Sequence, residues 1–256
     1  LLGINPIELG GAPFALATDE SVRIRARDLK LNLHNNTRCY VLPCIAGHVG
    51  ADTAGMILSE APYKREAITL LVDIGTNAEI VLGNKERLLA ASSPTGPAFE
   101  GAQITCGQRA APGAIERVRI DKKTLEPKFK VIGCELWSDE NEFSEQTKKT
   151  GITGICGSGI IEAIAEMFLA GIITQDGVIN GSIAKKSDRI IKEGRTYSYI
   201  LYDGEQKVHI SQNDVRAIQL AKAALYAGTR LLMERLDIES VDRIRLAGAF
   251  GNHIEP

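Results

Sequence analysis

Between residues 67 and 92 the chain is a series of short apolar runs separated by polar turns. Ala67 to Asp73, Ala78 to Leu82 and Arg87 to Ser92 read as three strands, with Gly75-Thr76-Asn77 and Gly83-Asn84-Lys85-Glu86 as the turns between them. Upstream the pattern is looser. Residues 1–20 are rich in Gly and Pro and read as loop, Val22 to Leu33 alternates in part and reads as strand, and Tyr40 to Cys44 is a short strand. Gly47 to Leu58 fits a helix with Val49, Ala54, Ile57 and Leu58 on one side.

Beyond residue 92 the period changes. Pro94-Thr95-Gly96-Pro97 breaks the chain, and a helix is expected to open at Pro97 or Ala98, since proline suits a first helical position. Ile115 to Ile120 and Lys128 to Ile132 read as a hairpin, and charged residues 138–150 as a surface loop. Gly157-Ser158-Gly159 opens a helix with Ile160, Ile161, Ile164 and Phe168 on one face, stopped by Gly171. Tyr197 to Leu201 and Lys207 to Ile210 read as a second hairpin. Ser211-Gln212-Asn213-Asp214 is a capping box for a helix to Leu236, striped by Val215, Ile218, Ala221, Leu225, Thr229, Leu232 and Leu236. Asp242 to Ala247 reads as a buried strand, followed by a Gly248–Gly251 loop. Three meandering strands followed by alternating helices and strands predict an α/β fold, a ribonuclease-H-like lobe. The charged break Lys64-Arg65-Glu66 divides the chain into 1–65 and 66–256.

Composition narrows the function. A net charge of -2 gives no electrostatic footprint for nucleic acid or an anionic membrane surface. No apolar run reaches the length of about 18 residues needed to cross a bilayer, and no secretory signal is visible. The five cysteines, Cys39, Cys44, Cys106, Cys134 and Cys156, are odd in number and scattered, which argues for a reducing, cytoplasmic setting and against a disulfide framework. No CxxC occurs, so a zinc or iron–sulfur site made by this chain alone is not expected. The histidines, His34, His48, His209 and His253, show no metal spacing.

Candidate chemistry lies in the turns. An apolar strand ending in Asp73 and turning through Gly75, Thr76 and Asn77 has the parts of a phosphate cradle. Glycine exposes backbone N–H groups, Thr and Asn add short hydrogen-bonding groups, and the aspartate can hold a metal-bound water. Ser93 to Ala102, with Gly96 and Glu100, places a second polar turn at a predicted helix N-terminus, where phosphate is favoured. An ordinary Pro/Gly helix start is the alternative. Gly154 to Gly159, with Gly157 and Ser158, is a third such turn, or simply a place of close packing; Cys156 reads as a packing group rather than a reactive thiol. Gly248, Ala249, Phe250, Gly251 and Asn252 would let a flat base approach the backbone, with Phe250 beside it, or form a plain tight turn. Asp52 is either a helix-start acid or a cleft carboxylate. None of these runs matches a Walker lysine loop or a GxGxxG fingerprint.

Taken together, the runs Tyr40 to Asp52, Val72 to Asn77, Gly96 to Ala102, Gly154 to Gly159 and Leu246 to Asn252 resemble the actin/sugar-kinase/heat-shock-70 ATPase superfamily, and within it the ATP-dependent reductive activators of corrinoid proteins. The resemblance implies two ribonuclease-H-like lobes with ATP in the cleft. Asp73 to Asn77 resembles the second phosphate loop, with Asp73 ordering Mg²⁺ through water. Gly248 to Asn252 resembles the adenosine loop, and Gly47 to Leu58 the first connecting helix. Residues 1–65 then resemble the end of lobe one, and 66–256 lobe two. The family's first phosphate loop would lie before Leu1 and a second connecting helix after Pro256, so the chain is expected to be a fragment of a longer protein. The implied iron–sulfur cluster belongs to a separate domain. The implied partner is a corrinoid protein or corrinoid-dependent methyltransferase, acted on by a homodimer that returns Co(II) to Co(I) in anaerobic methyl transfer.

Three other readings stay open on the sequence. One is a small-molecule kinase of the same superfamily. Another is a dehydratase activator, for which the cysteine pattern gives no support. The third is a non-catalytic dimerisation or docking platform. No residue for positioning an attacking water is identifiable, and a fragment lacking half the phosphate cradle is expected to bind ATP weakly.

Overall fold

A computed structural model describes residues 2–251. In chain order its elements are β1 (Val22–Arg25), β2 (Arg38–Val41), α1 (Ala51–Glu60), β3 (Thr69–Ile74), β4 (Ala78–Gly83), β5 (Leu88–Ser93), β6 (Ala114–Ile120), β7 (Pro127–Val131), α2 (Phe143–Thr147), β8 (Gly154–Ile155), α3 (Gly157–Leu169), β9 (Ile190–Glu193), β10 (Thr196–Tyr202), β11 (Val208–Ser211), α4 (Gln212–Leu236), β12 (Arg243–Ala247) and α5 (Gly248–Gly251). They form two compact units. The first holds residues 2–74, 78–93 and 227–248; the second holds 75–77, 94–226 and 249–251.

The first unit is built on a four-stranded sheet of order β12-β3-β4-β5. Strands β3, β4 and β5 are an antiparallel meander, and β12 joins β3 in parallel with Ala247 opposite Asp73. Strand β3 is apolar almost throughout because both of its faces are covered. On one face Met56 of α1 packs with Leu71 and Val81, which are register partners. On the other, Gly228 of α4 approaches so closely that a Cβ there would stand 3.0 Å from Cδ1 of Ile80. A β1–β2 hairpin completes the unit.

The second unit carries two small sheets, β7-β6-β8 and β11-β10-β9. Helix α3 lies on β6, where a Cβ on Gly159 would be 2.3 Å from the Ile115 carbonyl oxygen, so only glycine permits this distance. The capping box at α4 is formed in both directions. Ser211 donates its N–H and hydroxyl to Asp214 Oδ2, and the Asp214 N–H donates to Ser211 Oγ. Asp214 Oδ1 also accepts from the Thr105 N–H at 2.8 Å, fastening a distant loop to the helix start.

Several expectations are corrected. No helix opens at Pro97 or Ala98; residues 97–104 are a chain of turns. Gly101 and Gly107 draw this segment tight, since a Cβ on Gly107 would lie 2.0 Å from the Gly101 oxygen. Val22 to Leu33 is a strand only to Arg25 and then a 3-10 turn that ends at Leu29. The first helix begins at Ala51 rather than Gly47, and the 138–150 loop contains α2. On α3 the buried position is Met167, not Phe168, because Ile160, Ala163 and Met167 follow the helical period. Strand β12 is not buried: Ile244 is 62% exposed and Leu246 40%, as befits a strand paired on one side only. Gly248 to Gly251 is a helical turn rather than a loop. Among the described residues no helix is long and apolar enough to cross a membrane.

Candidate functional site

Asp73 is the next-to-last residue of β3 in the first unit, and its surroundings are acidic. Glu79 stands directly opposite it on β4, and Asp52 lies in the first turn of α1. Burial pushes the Asp73 carboxyl above the usual carboxylate range, and the Asp52 charge adds to the rise. Glu79 is raised by burial first, then by Asp52 and Asp73, against the lowering effect of a hydrogen bond from Ser92 Oγ at 3.1 Å. Like charges directly across an antiparallel pair repel. Among the described residues none of the three carboxylates makes an ion pair with Lys or Arg, so their charge is unbalanced within the fold.

Gly248 closes this corner. Its φ of +77° is left-handed, and a Cβ on it would lie 2.0 Å from Asp73 Oδ1. The parallel pairing of β12 with β3 brings the two strand ends level, and the missing side chain makes room for the carboxylate. A small, hard cation such as Mg²⁺ fits this donor set through water. Among the described residues no three of His, Cys, Asp and Glu converge closely enough to ligate one ion directly, and Mg²⁺ keeps several of its waters.

The turn that follows belongs to the second unit. Gly75 has no left-handed φ, and its N–H donates within the turn to the Asn77 oxygen at 2.9 Å. Thr76 Oγ1 donates to Glu100 Oε1 at 2.8 Å. Two donors that the sequence offers to phosphate are therefore engaged inside the protein. No hydrogen bond among the described residues occupies the N–H groups of Thr76 and Asn77 or the Asn77 side-chain amide. Thr95, buried, points its hydroxyl at the oxygens of Gly75 and Thr76 at 3.5 and 3.3 Å and braces the turn from behind.

The remaining predicted residues divide. Gly96 adopts φ +69°, 3.7 Å from Gln103 Oε1 by its would-be Cβ. Gly157 and Ser158 are buried at the start of α3, and Cys156 donates to the Ile115 oxygen at 3.3 Å, so this turn packs against β6. Ala249, Phe250 and Gly251 continue the backbone of α5 from Gly248. Asn252 lies outside the described residues. Glu79 was missed, although it is the one charged residue of an otherwise apolar strand. Also missed was the approach of Cys106 Sγ to His209 Nδ1 at 3.5 Å, where burial pushes the thiol up and keeps it protonated. One concavity of the second unit, about 730 Å³, is lined by Phe129, Phe143, Thr153 and Tyr202 among others and contains none of the predicted residues.

Residues 67–256 match the family model described as the C-terminal domain of RACo, the ASKHA domain, and residues 1–64 match the RACo middle region. The corrinoid activation enzyme RamQ of Eubacterium limosum is 35% identical over 99% of this chain. The [Co(II) methylated amine-specific corrinoid protein] reductase of Methanosarcina barkeri is 26% identical over 86%. A solved structure of a reductive activator for corrinoid, iron–sulfur protein matches 98% of the chain with a TM-score of 0.78 and 33% identity. The chain spans 42% and 39% of the two relatives and 38% of the solved chain.

Proposed function

The chain belongs to the RACo family, with an actin-like ATPase (ASKHA) domain, and from that premise we propose that it is the ATP-binding part of a protein that reductively activates a corrinoid protein, Co(II) to Co(I). Asp73 carries the reading. It is a half-buried carboxylate near a strand end, seated against a glycine that has no room for a side chain, with Asp52 and Glu79, which make no ion pair among the described residues, beside it. Asp73, with Asp52 and Glu79 behind it, would hold the waters of Mg²⁺. Bound Mg²⁺ supplies positive charge for the phosphates. The N–H groups of Thr76 and Asn77 would bind phosphate oxygen, and Gly248 to Asn252 would seat the adenosine. In this reading Gly157 and Ser158 serve packing, and Gly96 and Glu100 shape the phosphate turn.

The nucleotide would act as a switch, bound more tightly by one arrangement of the protein than by the other. The single electron for cobalt would come from an iron–sulfur cluster in another domain of the full-length protein. The partner would be the corrinoid protein or its methyltransferase, the active form a homodimer, and the setting the cytoplasm. The division at residues 65 and 66 into the end of one lobe and the second lobe belongs to the same proposal.

Mg-ATP titration of the full-length protein by calorimetry tests this. Binding that Asp73→Ala abolishes while the fold persists is the expected result. Equal affinity in wild type and Asp73→Ala would remove the site from this position.

A further inference from the structure

We propose that Glu100 positions the water that attacks the terminal phosphate of ATP; this rests on the ATP-binding function proposed above and adds hydrolysis to it. Thr76 lies in the turn assigned there to phosphate, and it donates its hydroxyl to Glu100 Oε1 at 2.8 Å across 24 residues of chain. Among the described residues no other carboxylate is hydrogen-bonded to residues 75–77.

Glu100 is presented rather than buried. Its neighbours Ala98 and Phe99 are buried, so the turn that folds them inward leaves Glu100 outward and exposed. Oε1 is engaged by Thr76, while Oε2 has no hydrogen-bond or ion-pair partner among the described residues. Its open lone pairs can accept a proton from water.

The carboxylate is held from behind, within the second unit. The Glu100 N–H donates to the Pro97 oxygen at 3.2 Å, and the Gly101 N–H to the Ala98 oxygen at 3.1 Å. Gly101 has φ +86°, and a Cβ on it would stand 2.9 Å from the Gln108 nitrogen. Farther along the segment, Thr105 gives its N–H and hydroxyl to Asp214 Oδ1 at 2.8 and 3.0 Å, and Asp214 is buried. The segment is anchored in the interior at one end and on the turn at the other. A group fixed before the reactants arrive loses little freedom in the reaction.

Charge gives the reason for an acid at this place. A negative side chain beside a phosphate turn opposes the charge of the phosphate. The Thr76 bond needs only a carbonyl-type oxygen, which glutamine also has. Bracing alone would therefore be served better by Gln. Holding a water and taking its proton requires the carboxylate. In hydrolysis the water oxygen bonds to the γ-phosphorus. The bond from that phosphorus to the β–γ bridging oxygen breaks, and ADP leaves with its electron pair. The proton of the water passes to Glu100 Oε2 and then to the released phosphate. Placing the nucleophile is a principal contribution of the protein in such a transfer.

The test uses full-length protein, with phosphate release from Mg-ATP measured by steady-state kinetics and Mg-ATP binding by calorimetry. Glu100→Gln keeps an acceptor for Thr76 and loses the base. Its kcat should fall about 100-fold. Its Mg-ATP affinity should be equal or higher, and its melting temperature should hold because the side chain is exposed. Thr76→Val unfastens the carboxylate and should lower kcat, with affinity within about threefold of wild type. Unchanged kcat in either variant overturns the proposal. So does a loss in Glu100→Gln that appears only as weaker binding, which would make Glu100 a binding group. If the wild type binds Mg-ATP and releases no phosphate, the proposal falls and the ATP-binding function stands. If the wild type does not bind Mg-ATP, both fall.

Discussion

Gly248 lies against the carboxylate of Asp73 with no space for a methyl group, since a Cβ would stand 2.0 Å from Oδ1. Its φ of +77° adds a second reason for glycine. Gly248→Ala should therefore cost about 1–3 kcal/mol of stability and displace Asp73. Thermal melting and Mg-ATP calorimetry of the full-length protein check this. Wild-type ATP affinity in the variant would show that Asp73 is not held in place for the nucleotide.

The acidic corner sets a pH dependence. Asp73 and Glu79 have carboxyls raised by burial and by neighbouring negative charge, so the folded state binds their protons more tightly than the unfolded state does. Their stabilising contribution is full below the ordinary carboxylate range and is lost as pH rises through the raised values. Without Mg²⁺ the melting temperature should fall as pH rises from about 4 toward neutrality. Added Mg²⁺ should restore it most at neutral pH. Asp73→Asn should flatten the profile; a profile unchanged by that substitution contradicts this origin.

Thr76 offers its hydroxyl proton to Glu100. Thr76→Val should thus change ATP affinity by less than about threefold, at the low end of what a hydrogen bond contributes. Asn77→Ala, which removes an unengaged amide, should weaken it more. The opposite order, measured by nucleotide titration, would place the Thr76 hydroxyl on the phosphate.

Leu71 is fully buried between Met56 and Val81. Leu71→Ala should cost about 2–5 kcal/mol in urea unfolding, through lost transfer energy and the cavity left behind. A cost well under 1 kcal/mol would mean that α1 and the sheet reclose over the gap.

What the sequence by itself determined is local. The β3–β4–β5 meander follows from apolar runs and their turns. The α4 stripe and the Ser211–Asp214 cap follow from residues three and four apart, and so does the Gly157 start of α3. Each is fixed by neighbours within a turn or two, where pattern and hydrogen bonding agree. The tertiary structure decided the rest. The Pro97 segment has a good helix-start residue, yet the Gly101–Gly107 contact folds it into turns. Strand β12 alternates Arg243 and Arg245 with the apolar Ile244 and Leu246, yet its place at the sheet edge leaves Ile244 and Leu246 exposed. The gathering of Asp52, Asp73 and Glu79 and the seat of Asp73 against Gly248 depend on how α1 packs on the sheet and on which strands pair and in what register. That pairing is anchored by Ile68 donating to Asp242, 174 residues away. A periodic pattern states which face of an element is apolar. It carries no information about which distant strand will pair with it, and the chemistry of this site depends on that pairing.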